Sequence, residues 1–399
     1  MNRRIVELDG LRAIAIFLVF GVHYAGFSHM LWKLPTYGWV GVDIFFALSG
    51  YLITKILLGL RGKQQAYKTF YSRRMIRIAP PYLVATAAVL LLGLIAKHAI
   101  HPGEFLLHQL LFLQAISPKD LEFFRGLLTH LGYYLTHIPT LFPHLTVAEV
   151  GLDPKLSAAT TIYWSLSVEE YFYLLWAPVV LHFNRNVAIG VGIAVCLVSA
   201  WLRMQYGEQA AYFCIFTRLD ALLYGAFLAM LFDMFDIREM YGKLRMTRGL
   251  QIVALVSVCL LALIVIVLRP APGADLRQSP LFLSIGLGLI SIAATSLVGL
   301  LVMRANTEWW VCRLLRTRPF QFIGTISYAM YLFHMIVAFL VNRVFMAALK
   351  RPYEIPQALL SVVLTILSAW LSWHFIEKPM LRWKDRHFPA VQVSEPTLN

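Results

Sequence analysis

The chain has 399 residues, of which 59% are hydrophobic and only 14% are charged, and its formal net charge is +14. Long apolar runs recur from end to end, which excludes an ordinary soluble domain and indicates a polytopic membrane protein. No motif that reads nucleic-acid bases accompanies the positive charge. We therefore attribute the charge to membrane topology and to attraction by anionic lipids, and we predict no nucleic-acid partner.

Ten apolar runs, each close to 20 residues long, are long enough to be transmembrane helices. We predict an all-α polytopic membrane bundle with about ten spans. Its single integral domain covers residues 1–385, and residues 386–399 form a short cytoplasmic tail. The first run lacks a small-residue cleavage site, so we expect a retained span rather than a removed signal peptide. The predicted spans are 10–28, 38–58, 78–97, 162–182, 187–203, 210–232, 250–268, 281–303, 320–342 and 357–376.

The Lys and Arg residues fall unevenly on the two sides that these spans define. Segments on the side of the N-terminus hold 21 of the 35, and the opposite connections hold 11. Because cytoplasmic segments retain positive charge, we predict that both termini are cytoplasmic. The longest connection, 98–161, is expected to form a partly ordered outer lid. The four cysteines are scattered without metal-ligand spacing, so we predict neither disulfides nor a metal site.

The first span carries two polar residues, Arg12 and His23. Eleven steps of about 100° bring them to almost the same helix face. A cation and an imidazole are costly in hydrocarbon, which favours a polar pathway or a reaction centre. The alternative is that Arg12 extends to the lipid headgroups while His23 hydrogen-bonds a neighbouring helix.

Asp43 lies in the second span, in the segment GWVGVDIFFALSGYL, at a depth similar to that of His23. A contact between the two side chains would fix the tautomer of the imidazole, as a general base requires. The alternative is that Asp43 only caps the start of its helix.

Further polar residues occur in later spans. Glu169 and Glu170 diverge by about 100° on the fourth span, so they cannot share one role, and we expect one of them to pair with Arg218. His334, on a later span, is expected at about the same membrane depth as His23. A purely structural role for His334 is an equal alternative. We expect these groups to converge with Asp220 in the outer half of the bundle.

Three arginines, Arg73, Arg74 and Arg77, precede the third span within one helical turn. Positive-inside anchoring explains most clusters of this kind. The functional alternative is a phosphate clamp on the cytoplasmic side, because guanidinium groups bind phosphate oxygens through paired hydrogen bonds.

Seven of these segments occur in a characteristic order: LDGLRAIAI followed by a histidine with ten residues between it and the arginine, GVDIFFALSGYL, YSRRMIRIAPPY, WSLSVEEYFYL, TRLDALLYGA, ISYAMYLFH and IEKP. Over about residues 5–380 the series resembles acyltransferase family 3, the integral-membrane acyltransferases that commonly O-acetylate bacterial surface carbohydrates. The family's Arg-x10-His motif falls on Arg12 and His23, its RxxR element on Arg74 and Arg77, and its aspartate on Asp43. Only about twenty residues follow IEKP, so we expect none of the hydrolase-like C-terminal domains that some members carry.

The resemblance implies acyl-CoA, usually acetyl-CoA, as a cytoplasmic donor substrate. It also implies a hydroxyl of a sugar, polysaccharide or lipid-linked glycan as acceptor, and the bacterial inner membrane as location. In the mechanism that we predict, the three clustered arginines hold the CoA phosphates and the pantetheine arm passes Arg12. His23 deprotonates the acceptor, Asp43 orients His23, and Glu170 is a further catalytic candidate.

Three alternatives stay open from the sequence. In the first, the protein is still an acyltransferase, but its acceptor is a lipid or a secondary metabolite. Alternatively, His23, Asp43, Glu170 and Arg218 form the relay of a proton-coupled transporter, which needs no acyl donor. The last alternative is a membrane scaffold without catalysis, which leaves the recurrence of intramembrane polar residues unexplained. The oligomeric state cannot be read from the sequence.

Overall fold

The structure, a computed structural model, describes residues 5–24, 37–95, 102–112, 114, 159–206, 208–235, 240–268, 276–350 and 354–388. Every regular element within these ranges is helical. A π-helical turn at Phe282–Gly286 leads into α10, and another at Trp373–Glu377 joins α13 to α14. The α-helices are α1 (Val6–His23), α2 (Val40–Leu60), α3 (Ala66–Ile95), α4 (Pro102–Leu110), α5 (Trp164–His182), α6 (Arg185–Gln205), α7 (Glu208–Phe213), α8 (Leu219–Met234), α9 (Met240–Leu268), α10 (Leu287–Met303), α11 (Trp310–Leu315), α12 (Arg318–Leu349), α13 (Glu354–Ser372) and α14 (Lys378–His387).

Nine of the ten predicted spans overlap one main helix each, whereas the predicted span 210–232 is divided between α7 and α8. The prediction of an all-α polytopic membrane bundle is confirmed. In the described part of the chain, seven helical segments are long and apolar enough to cross a membrane. Two helices outside this set differ for identifiable reasons: α8 has only 16 residues, and α1 carries three charged side chains. The seven segments are Val40–Leu60, Ala66–Ile95, Arg185–Gln205, Gly242–Leu268, Phe282–Met303, Arg318–Leu349 and Ile355–His387.

Side-chain contacts give the relative directions of the central helices. Ser49 and then Thr54 of α2 meet Glu169 and then Trp176 of α5, so these two helices run parallel. On the other side of the centre, Asp9 of α1 lies against α12 near its start and His23 meets α12 further along, so α1 and α12 are also parallel. Both relations agree with spans that alternate in direction.

Two glycines bring the central helices into close contact. A Cβ atom at Gly50 would lie 1.9 Å from the carbonyl oxygen of Leu222 in α8, and one at Gly324 would lie 1.8 Å from the carbonyl oxygen of Asp9 in α1. Small residues at such crossings are typical of packing between membrane helices. The contacts hold α1, α2, α8 and α12 around the region in which the polar side chains collect.

Two predicted segments fall largely outside the described residues. Of the expected lid at 98–161, the structure describes α4, residues 111, 112 and 114, and residues 159–161. Of the expected tail at 386–399, it describes the end of α14 and Phe388. The lid and the domain boundary at 385 therefore stay predictions.

Candidate active site

A cavity of about 720 Å³ lies between α1, α2, α3, α5, α12 and the segment formed by the second π-helical turn and α14. On α2 alone, its lining extends from Val42 to Leu60. Eighteen helical rises correspond to about 27 Å along the axis, close to the thickness of a bilayer's hydrocarbon core. The cavity therefore extends over most of the membrane depth.

Positive charge dominates the lining. Asp9, Glu169 and Glu377 are its acidic members. Six cations face these three carboxylates, so the formal charge of the lining is strongly positive. The cations are Arg12, Lys55, Arg73, Arg74, Arg77 and Lys384.

Two of the four arginines predicted to bind the acyl-CoA donor are already engaged by the protein. Arg12 donates from Nη1 to Asp9 Oδ1 at 2.6 Å. Arg73 donates to Asp385 Oδ1 at 3.0 Å and also to the carbonyl oxygen of Phe388. The contacts of Arg73 attach α14 to α3. In both arginines, part of the guanidinium's hydrogen-bond donor capacity is already used.

Arg74 and Arg77 differ from these two arginines. Within the described ranges, neither forms a hydrogen bond or an ion pair, although the Arg74 guanidinium lies 5.9 Å from the centre of the Tyr173 ring. Guanidinium donors left open in a cavity can bind phosphate oxygens in charge-assisted pairs. These residues are the strongest candidates for binding an anionic ligand.

Of the two adjacent glutamates, Glu169 lines the cavity. Its Oε2 accepts hydrogen bonds from the hydroxyl groups of Tyr173 at 2.7 Å and Ser49 at 3.2 Å, and both of these residues also line the cavity. Glu170 is absent from the lining, and its Oε1 is buried without a hydrogen-bond partner in the described structure. The sequence analysis placed Glu170 in the catalytic set, whereas the helix rotation brings Glu169 to the cavity.

A pair of histidines lies beyond one end of the cavity. His23 Nδ1 is 3.1 Å from His334 Nε2, and His334 is fully buried whereas His23 is exposed. Tyr331 separates the pair from the cavity: it lines the cavity, and its ring centre is 5.6 Å from that of His334. Its hydroxyl donates to the carbonyl of Ile162 at 2.6 Å and is 2.6 Å from Ser165 Oγ. His334, predicted only to reach this level, is thus the partner of His23.

The predicted contact between His23 and Asp43 is wrong. Asp43 Oδ1 accepts hydrogen bonds from Arg218 Nη2 at 2.9 Å and from Ser291 Oγ at 2.7 Å, and its other oxygen has no partner among the described residues. The side chains of Asp43 and Arg218 are both fully buried. A buried charge needs an opposite charge, and α2 turns Asp43 towards α8 and α10 rather than towards α1. For the same reason, the predicted pairing of Arg218 with a glutamate is wrong.

Asp220 belongs to a separate ion pair. Its Oδ2 accepts from Arg203 Nη2 at 2.8 Å, and Arg203 Nη1 also donates to the carbonyl of Thr217 at 2.5 Å. The expected convergence of the polar residues in one centre is therefore wrong. The structure distributes them among the cavity, the histidine pair and two buried ion pairs.

Sequence reasoning overlooked several residues of the lining. Tyr173 lies one helical turn beyond Glu169, a spacing that could have identified it. Ser49 and Tyr331 belong to the motifs LSGYL and ISYAMYLFH, but neither motif indicates which way its residues face. Glu377 lies in the π-helical turn of the IEKP segment, and no sequence pattern that we used predicts such a turn.

Comparison with known proteins identifies the family. Residues 5–374 match the family described as "Acyltransferase domain". Peptidoglycan O-acetyltransferase OatA of Listeria monocytogenes serovar 1/2a is 28% identical over 392 residues, which are 95% of this chain and 56% of that protein. The Bacillus subtilis (strain 168) protein named "Putative peptidoglycan O-acetyltransferase YrhL" is 27% identical over 400 residues, 97% of this chain and 56% of that protein.

The chain thus spans a little over half the length of these relatives. No solved structure matches the chain significantly. The family match covers nearly all of the described helical bundle, including the histidine pair and every cavity-lining residue except Glu377, Leu381 and Lys384. The chain therefore belongs to acyltransferase family 3, a family of membrane enzymes that transfer acyl groups other than aminoacyl groups.

Proposed function

We propose that this protein transfers an acyl group, most simply acetyl, from cytoplasmic acyl-CoA to a hydroxyl of a cell-envelope carbohydrate. The observation that carries the proposal is the cavity, which extends from a cluster of cations to Tyr331, the residue whose ring lies against the histidine pair. The relative in Listeria monocytogenes is named as a peptidoglycan O-acetyltransferase, which supports acetyl as the acyl group and a glycan as the acceptor.

The donor is held at the cationic end. Arg74 and Arg77 offer open guanidinium donors to the CoA phosphates. The excess of positive charge on the side of both termini supports a cytoplasmic location for this end. Arg12 and His23 are separated by eleven helical rises, about 17 Å along α1. An extended pantetheine arm bridges such a separation, so the phosphates can stay at the cationic end while the thioester reaches the histidines.

The reaction needs a base at the far end, and His23 supplies it. Its imidazole takes the proton of the acceptor hydroxyl as the oxygen attacks the thioester carbon. A C–O bond forms, the C–S bond breaks, and the departing thiolate receives the proton, giving an ester and free CoA. A positioned base of this kind typically accelerates transfer by about 10²–10⁴-fold. Asp43 supports the site only through its ion pair with Arg218.

The acceptor reaches His23 from the side opposite the cations. His23 is exposed whereas its partner His334 is enclosed, so the open side of the pair is the side of His23. Lipids and secondary metabolites are alternative acceptors, which the experiment tests beside the glycans. The transporter alternative has no support in the geometry, because the residues of the supposed relay are distributed among separate pairs.

The proposal is tested by incubating detergent-purified protein with radiolabelled acetyl-CoA and a panel of acceptors: peptidoglycan fragments, lipid-linked glycans and simple lipids. We expect acetyl-ester formation with a glycan and its loss in His23→Ala. His182→Ala is the matched control, since His182 is exposed and contacts Tyr67 away from the cavity. Full activity of folded His23→Ala, or no turnover by the wild type with any acceptor, would refute the proposal.

A further inference from the structure

The two nitrogens of His334 have different partners, and these partners define its protonation. Nδ1 is 2.7 Å from the carbonyl oxygen of Tyr331, and a carbonyl can only accept, so Nδ1 carries a hydrogen. His334 is fully buried among the rings of Phe20, Tyr24 and Tyr331. A positive charge in such surroundings is costly, so the ring is neutral and Nε2 carries a lone pair.

This assignment determines the tautomer of His23. His23 Nδ1 is 3.1 Å from His334 Nε2. Because Nε2 of His334 can only accept, Nδ1 of His23 must be the donor and must carry the hydrogen. The imidazole of His23 also interacts with the backbone of Val19, one turn earlier in α1. With Nδ1 as the donor, the lone pair of a neutral His23 is on its own Nε2.

We infer that His334 is a positioning residue for the proposed base: it holds His23 as the Nδ1–H tautomer, so that Nε2 of His23 is the atom that takes the acceptor's proton. The hydrogen bonds run in one direction: His23 Nδ1–H donates to His334 Nε2, and His334 Nδ1–H donates to the carbonyl of Tyr331. This inference names a role inside the proposed function and rests on it.

The surrounding packing fixes the two rings relative to each other. Tyr24 OH donates to the backbone carbonyl of His334 at 3.1 Å and is 3.0 Å from Thr365 Oγ1, so the end of α1 is attached to both α12 and α13. The histidine ring centres lie 5.0 Å apart. A residue held on several sides can select one tautomer, whereas a free imidazole exchanges its proton between both nitrogens.

The first test measures the tautomer itself. Protein labelled with ¹⁵N-histidine is examined by NMR under conditions in which His23 is neutral, with His23→Gln used to assign its signals. The inference expects the Nδ1–H form in the wild type and a larger share of the Nε2–H form in His334→Leu, in which only the backbone of Val19 still interacts with the His23 imidazole. An Nε2–H form in the wild type would overturn it, and this result does not depend on whether His334 variants fold.

The second test is kinetic and uses a conservative variant. In His334→Gln the amide oxygen can still accept from Nδ1–H of His23, whereas His334→Leu offers no acceptor. We expect kcat to fall at least about tenfold in His334→Leu, towards the roughly 10⁴-fold that a wrong histidine tautomer can cost. We expect His334→Gln to recover much of that loss, and the KM for acetyl-CoA to change less than about twofold, since the cavity is untouched.

His182→Ala is again the control, because it removes an imidazole that contacts Tyr67 away from the cavity and from the histidine pair. Its kcat should stay near that of the wild type. Equal kcat in wild type and His334→Leu, or no recovery by a folded His334→Gln, would overturn the inference. A wild type that never transfers acetyl would refute the proposed function, and the NMR result would still decide the tautomer.

Discussion

Replacement of Arg74 or Arg77 by alanine should weaken binding of acetyl-CoA more than replacement of Arg73. The guanidinium of Arg73 is engaged by Asp385 and by the carbonyl of Phe388, whereas Arg74 and Arg77 have no such partners in the described part of the structure. A hydrogen bond to a charged group contributes about 1.5–3 kcal/mol. Loss of one of these arginines should therefore raise the Kd roughly 10- to 150-fold, and loss of Arg73 by less.

The measurement is isothermal titration of detergent-purified variants with two donors, acetyl-CoA and S-acetyl-pantetheine. The second donor lacks the phosphates, so its affinity should be nearly equal in wild type, Arg74→Ala and Arg77→Ala. Arg313→Ala is a matched control, because Arg313 is exposed and absent from the cavity lining. Thermal unfolding of each variant separates a loss of binding from a loss of structure.

Two results would refute this reasoning. If Arg73→Ala weakens acetyl-CoA binding as much as Arg77→Ala does, then the engagement of Arg73 by α14 does not limit its role. If both donors lose affinity equally in Arg77→Ala, then Arg77 acts on the pantetheine or acyl portion rather than on a phosphate. Either result would move the phosphate site away from the RxxR segment.

Three further perturbations separate packing, charge and chemistry. Asp43→Asn leaves a buried guanidinium without its counter-charge and should lower the free energy of unfolding by about 3–5 kcal/mol, measured by denaturant titration in detergent; a change below about 1 kcal/mol would contradict this. Gly324→Ala should destabilise by about 1–3 kcal/mol in the same assay, whereas Gly190→Ala, with open space around the added Cβ, should be neutral or slightly stabilising. Glu169→Gln should lower turnover at least about tenfold, since two hydroxyls donate to that carboxylate, while Glu170→Gln should change it little; the reverse order would show that Glu170 faces the chemistry.

The fold could be predicted because the bilayer restricts the possibilities. Backbone groups in hydrocarbon need partners within their own segment, so an apolar run near 20 residues forms a helix almost regardless of its neighbours. All ten predicted spans accordingly lie on helical segments, although the span 210–232 is interrupted between Phe213 and Leu219. The π-helical turns could not be predicted, since the turn at Trp373–Glu377 depends on contacts that no sequence period records.

The site was predicted only in part, and the division has a physical cause. Depth follows from counting helical rises, so His334 was placed near the level of His23 and is indeed in contact with it. Neighbours depend on how each helix is rotated about its axis, and contacts such as Gly50 against Leu222 set that rotation. Counting residues therefore could not show that Asp43 faces α8.

Structural and functional charges in this bundle differ in whether the charged side chain has an oppositely charged partner, more than in residue type. Two buried pairs, Asp43 with Arg218 and Arg203 with Asp220, neutralise themselves and are explained by packing alone. The cavity is different, because its six cations face only three carboxylates. Concentrated positive charge at membrane depth is unfavourable unless an anion compensates it. A ligand rich in phosphate relieves that repulsion when it binds, and for this reason the unbalanced charge of the lining favours a CoA thioester over an uncharged acyl donor.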